Sequence, residues 1–147
     1  MLTVRISSLL RLRFMFGMLI ALPLASCGLR PGNDVSIPAG FKGWVTIRYN
    51  DAGSPPLRRA GLRPVINVPW TGEVLTSSRR SDGYGVDHFY FVTQDGKRTP
   101  IKEDSHGCPE SEQCIQQFEY YSSPHQATVF FVGAKHELNG YKRPELK

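Results

Sequence analysis

Residues 86–102 read VDHFYFVTQDGKRTPIK. The first eight, Val86–Thr93, are dense in aromatic and β-branched side chains, which suit a pleated, half-buried surface. Gln94-Asp95-Gly96-Lys97 follows, and an Asp-Gly pair tolerates the positive φ angles that a two-residue hairpin turn demands. Arg98–Lys102 is then the returning strand. On the N-terminal side, Ser78–Gly85 is a polar loop, Glu73–Ser77 a short strand and Trp70-Thr71-Gly72 a turn. Gly61–Pro69 (GLRPVINVP) is a strand around Val65, Ile66 and Val68; Pro64 cannot donate to a ladder, which makes it an edge or a bulge. DAGSPP (51–56) is a loop, and WVTIRY (44–49) sets Val45, Ile47 and Tyr49 against Trp44, Thr46 and Arg48 as a half-buried strand. On the C-terminal side, Gln113–Tyr121 suits strand or helix, with strand favoured, and His125–Ala134 alternates Thr128, Phe130 and Val132 against Val129, Phe131 and Gly133. Helical periodicity is nowhere sustained over ten residues. The expectation is an all-β, antiparallel β-sandwich over residues 37–136 with a C-terminal tail, 137–147.

The chain's 147 residues hold one domain's worth of core. Its formal charge of +5 misleads, because Arg5, Arg11 and Arg13 lie in an N-terminal segment read as cleaved. Beyond that segment 15 basic residues face 13 acidic ones, a charge of +2. With no basic stripe along a helix, nucleic acid is not an expected partner.

Residues 1–26 read as a lipoprotein signal peptide. Three arginines without an acid precede FMFGMLIALPLAS (14–26), which carries no charge. Those thirteen residues are too few for a hydrocarbon core of roughly 30 Å but suit a signal-peptide apolar region. Leu24-Ala25-Ser26-Cys27 looks like the lipobox of bacterial lipoproteins, in which the cysteine is acylated and becomes the mature N-terminus. Each buried CH₂ of its acyl chains adds ~0.8 kcal/mol of membrane attachment. Cys27 is thus the expected lipidation site, and residues 27–36 the expected flexible tether. By resemblance to Gram-negative sorting rules, Gly28 after the cysteine favours the outer membrane, facing the periplasm. In a Gram-positive source the anchor would sit on the outer face of the single membrane.

With Cys27 assigned to lipid, Cys108 and Cys114 remain, in CPESEQC. Export places them in an oxidising space, where such a pair reads as a disulfide. A continuous helix would hold the two Cα atoms ~9 Å apart, beyond the ~7 Å a bridge spans. The pair therefore requires a compact turn, which Pro109 helps to set, and closing it adds about 2 kcal/mol.

IPAGFKGWVTIRY (37–49), Pro55-Pro56, Val68-Pro69 with Thr71-Gly72, Phe89-Tyr90-Phe91, Asp95-Gly96 and Phe131-Val132-Gly133 together resemble a family of small bacterial lipoproteins. That family opens on IPxGFxGWVxIxY and has no established function. The order of elements is also similar to transthyretin-like and carboxypeptidase-regulatory sandwiches, a likeness of fold alone. The resemblance implies the sandwich and transfers no catalytic residue.

Motifs of chemistry are missing: no G-x-S-x-G, no H-E-x-x-H, no phosphate-cradling loop and no dinucleotide fingerprint. The expectation is a chain with no catalytic residues, metal or cofactor. His88 and Asp87 should point to opposite faces of a strand, which argues against a dyad. His106 with Glu103 and Asp104 could gather a metal in a loop, but no ligand spacing supports it over a solvated acidic turn. His125 and His136 flank the last strand without partners in view.

Two surface features remain. Arg58, Arg59, Arg63, Arg79 and Arg80 set five bases against the single acid Glu73 between residues 58 and 80. If their loops share one end of the sandwich they form a patch for phosphate or carboxylate groups; otherwise they are scattered guards of edge strands. Trp70 and Tyr84, in turns, are candidate anchors for a partner or glycan, with Trp44 as a third aromatic; the alternative is core packing. The functional expectation is a membrane-anchored, non-enzymatic envelope lipoprotein with a protein-interaction or structural role. The alternatives are a glycan- or anionic-lipid-binding module, or an inhibitor of an envelope hydrolase.

Overall fold

The structure is a computed structural model, and it describes residues 28, 30–122 and 126–146. The signal peptide, Cys27 and His125 lie outside the described residues. Nine strands run in chain order: β1 Asp34–Pro38, β2 Gly43–Arg48, β3 Arg58–Ala60, β4 Arg63–Asn67, β5 Glu73–Leu75, β6 His88–Val92, β7 Arg98–Ile101, β8 Cys114–Tyr121 and β9 Ala127–Gly133. They form two sheets, ordered β3-β4-β1-β6-β7 and β5-β2-β9-β8.

The expected all-β sandwich is present, and its core is the one the alternation implies. Val35, Ile37, Ile66 and Phe89 from the first sheet meet Val45, Ile47, Ile115, Phe130 and Val132 from the second, all buried. Phe89 lies edge-on to Phe130 at 5.3 Å, and Phe118 stacks on Phe130 at 5.6 Å, arrangements favoured by the ring quadrupoles. Residues 113–121 resolve as strand, bent by a bulge between Gln116 and Glu119 where Gln117 takes φ 47°.

Three expectations need correction. Both sheets are mixed rather than purely antiparallel: β1 pairs in parallel with β4 and β6, and β2 with β5. The chain crosses between the sheets after β1, β2, β4, β5 and β7. Strands β4 and β6 lie in the first sheet running the same way as β1, and β5 returns to the second running the same way as β2. Next, the segment expected as tether, 27–36, ends inside β1, the middle strand of its sheet. DVSIP is short and carries a terminal proline, so nothing local distinguishes it from a linker; its strand character comes from partners on both sides. Lastly, the Asp-Gly hairpin is not a two-residue turn. Thr93 and Lys97 close it, and only Gly96 takes a positive φ, of 84°. The Thr93 hydroxyl, bonded to the Asp95 carboxylate and to the Lys97 amide, stabilises this longer loop.

The expected tail, 137–147, is also docked. Residues 135–140 form a 3-10 turn, and Tyr141 then packs on Phe131 at 5.3 Å while its carbonyl accepts from Trp44 Nε1 at 3.1 Å. This covers Phe131 on the outer side of β9, a strand buried along its whole length. Trp44 is therefore a packing residue. Cys108 and Cys114 stand at disulfide distance with Cα atoms 6.3 Å apart, and the Glu112 amide donates to the Pro109 carbonyl in the turn between them.

Candidate functional site

Because β4, β1 and β6 are parallel neighbours, their first residues meet at one end of the sandwich, where Gly28 and residues 30–33 lead the chain in. This lead-in segment is stitched to residues 83–88. The Arg30 amide donates to the Tyr84 carbonyl at 2.9 Å, and the Tyr84 amide to the Gly28 carbonyl at 3.2 Å. The His88 amide donates to the Asn33 carbonyl at 2.8 Å. Two glycines permit this approach. A Cβ on Gly32 would stand 1.7 Å from the Val86 carbonyl oxygen, and one on Gly83, at φ 108°, 2.2 Å from the Gly28 carbonyl oxygen.

Asp87 sits at the centre of the stitch. Its Oδ1 accepts from the Asn33 amide at 2.7 Å, and its two oxygens accept from Arg30 Nη1 and Nη2 at 3.0 and 3.3 Å. Both side chains of this bidentate pair are only 8% exposed. Burial works against the Arg30 charge, but the Asp87 hydrogen bond and charge outweigh it and raise the guanidinium pKa above its ordinary value. Arg63 ties in the β3–β4 turn, bonding Asp34 Oδ1 at 2.9 Å, the Val86 carbonyl at 2.9 Å and the Asn33 carbonyl at 3.3 Å.

The five arginines do gather at this end. Arg59 and Arg79 line one small recess with Asn33 and Tyr49. Arg80 and Tyr84 line a cleft of about 290 Å³ with Arg30 and Tyr120. There Arg80 donates to the Tyr121 carbonyl at 3.1 Å and lies over the Tyr120 ring at 5.2 Å. Burial, and then the Asp87 charge, push the Tyr120 phenol pKa up. Arg58, beside the β3–β4 turn, is exposed. Arg63 and Arg80 are engaged with Asp34 and Asp82, whereas Arg58, Arg59 and Arg79 have no acidic partner among the described residues. Tyr84 (78% exposed), Leu62 (75%) and Val86 (69%) are the most exposed large apolar side chains described, and all three belong to this end.

Trp70 does not join them. It lies at the opposite end, where β1, β4 and β6 finish, 6.3 Å from the Phe41 ring and 67% exposed. It borders an apolar groove of about 520 Å³ with Pro38, Val68 and Val92, and on its other side a cleft of about 480 Å³ reaching Arg48 and Tyr141.

Sequence reasoning missed Arg30, Gly32, Asn33 and Asp87, all read as tether or as alternating strand. The glycines around them were the available clue, since close backbone approach uses glycine. His88 indeed points away from Asp87: its Nδ1 is 3.7 Å from Asp34 Oδ1 and 3.4 Å from the Tyr90 hydroxyl, on the outer face of the sheet. His106 Nδ1 faces the Ser105 hydroxyl at 3.2 Å in a 3-10 turn, and burial pushes the nearby Glu103 carboxyl pKa up. Among the described residues no three His, Cys, Asp or Glu side chains are grouped to hold a metal, and no helix is long and apolar enough to cross a membrane.

No curated protein matches the chain in sequence. A crystal structure of a "putative lipoprotein from Bacillus anthracis" is similar in fold, with a TM-score of 0.53 at 19% identity over 80% of this chain and 85% of that one. Residues 35–137, from the second residue of β1 through the last strand, match the sequence profile of a family of unknown function, and the chain belongs to that family, DUF6843.

Proposed function

We propose that this chain is a lipid-anchored protein of the bacterial cell envelope, and that its domain acts by holding a protein partner rather than by catalysis. One observation carries the reading: Gly28, the residue immediately after the cysteine of Leu24-Ala25-Ser26-Cys27, is hydrogen-bonded to the domain through its carbonyl. An anchor at Cys27 would keep the arginine-rich end at the membrane and present the Trp70 end outward. The charged and apolar sequence before Cys27, the disulfide-distance pair Cys108 and Cys114, and the lipoprotein name of the Bacillus protein of like fold all agree with export and anchoring. Gly28 after the cysteine favours the outer membrane if the source is Gram-negative.

The non-enzymatic part rests on how the reactive groups are used. Cys108 and Cys114 face each other, Asp87 is bonded by Arg30 and Asn33, and His88 faces Asp34 and the Tyr90 hydroxyl on the outer face of its sheet. The Trp70 end has instead what a partner surface needs, an exposed aromatic between two clefts. A photo-crosslinking residue placed at Trp70, and separately at Tyr84, tests this in intact envelopes. One stoichiometric protein adduct from position 70 and none from position 84 is expected. Adducts to lipid or glycan alone from position 70 would contradict the partner reading. Intact mass of the same protein checks the acyl chains on Cys27, and a mature chain without them would contradict the anchor.

A further inference from the structure

We infer that the arginine-rich end of the sandwich lies directly against an anionic bilayer, with Leu62, Tyr84 and Val86 entering the headgroup region. The inference rests on the anchor at Cys27 and deepens it, since an anchor alone does not say how the domain sits. A free tether from 27 to 36 could hold the domain roughly 30 Å away from the membrane. The stitched lead-in removes that reach. The Gly28 carbonyl is bonded to the Tyr84 amide, and one Cα–Cα step of about 3.8 Å separates Gly28 from the acylated residue. The surface around Tyr84 must therefore lie at headgroup level.

That surface has the composition such a position requires. Arg58, Arg59 and Arg79 carry charge that no acidic side chain described here neutralises. Tyr84, Leu62 and Val86 are the most exposed large apolar groups described, and Tyr and aliphatic side chains are favoured at the membrane–water interface. Arg63, bonded to the Val86 carbonyl, holds the Leu62 turn beside the Tyr84 loop, so the three apolar groups form one rim. Asp82 is exposed at this end with Arg80 facing it at 3.5 Å, and the Glu103-Asp104 turn follows β7 beside the start of β6, so the three arginines meet the bilayer between these acids. Each arginine near an anionic surface multiplies partitioning about fivefold, and three about a hundredfold.

The test uses the full chain in its acylated form, reconstituted into phosphatidylcholine vesicles with or without phosphatidylglycerol, each containing brominated lipid as quencher. In the variant Leu62→Trp, the added fluorescence should be quenched several-fold more than that of the native Trp44 and Trp70, and most strongly with phosphatidylglycerol present. Adding Arg58→Ser, Arg59→Ser and Arg79→Ser should remove the phosphatidylglycerol dependence. The full chain with Cys27→Ser should still bind phosphatidylglycerol vesicles about a hundredfold more tightly than the same chain lacking the three arginines. Quenching at position 62 no greater than at the native tryptophans, on protein whose mass shows acylated Cys27, would overturn the docking and leave the anchor standing. Arginine-dependent vesicle binding by a chain found unacylated at Cys27 would overturn the anchor and leave the docking standing.

Discussion

The two ends of the sandwich are built on opposite rules. At the end where β1, β4 and β6 begin, many polar groups are consumed internally: Asp87, Arg30, Asn33 and Arg63 bond each other and nearby backbone, while Arg58, Arg59, Arg79, Asp82 and an apolar rim face outward. At the end where the same strands finish, Trp70 stands exposed between two clefts with little tying it down beyond Phe41. A buried network fixes position, whereas an unpartnered aromatic is free to be covered. The difference separates a mounting surface from a presenting one.

Substitutions at the two ends should therefore differ in kind. The largest effect is expected from Asp87→Ala, which strands a guanidinium that is 8% exposed; breaking a buried pair costs about 3 kcal/mol or more, measured as a lowered urea midpoint. Gly32→Ala should follow, at about 2 kcal/mol, because its Cβ would collide with the Val86 carbonyl; Gly53→Ala, with open space around it, is the matched control. Cys108→Ser should cost about 2 kcal/mol under oxidising conditions and nothing once the wild type is reduced. The smallest effect on stability, within about 0.5 kcal/mol, belongs to Trp70→Ala, whose loss should appear only in partner capture. A Trp70→Ala variant as unstable as Asp87→Ala would erase the distinction between the ends.

Much of the sandwich is legible in the sequence. Alternation in WVTIRY and in ATVFFVG names which residues share a face of β2 and of β9, because successive side chains of a strand point to opposite faces, even though β9 is buried on both. The gathering of Arg58, Arg59, Arg63, Arg79 and Arg80 was legible as a condition on two loops sharing an end, and they do share it. What was not legible depends on distant partners. Asp34–Pro38 is a strand because β4 and β6 flank it, and nothing within those five residues says so. Alternation places Asp87 and His88 on opposite sides but cannot choose Arg30 for one and Asp34 for the other, 57 and 54 residues away. Trp70 and Tyr84 look alike in sequence, each an aromatic in a turn, and only the strand directions send them to opposite ends.

The central claim is that the chain following Cys27 is part of the fold and not a leash. Native-state hydrogen exchange of the full chain tests it most directly. The amides of Arg30, Asn33 and Tyr84 should be protected to an extent approaching that of the His88 amide, since all four are bonded across the same seam. Exchange of Arg30 and Tyr84 as fast as the open loop at Gly53, with His88 still protected, would restore the tether and contradict the account.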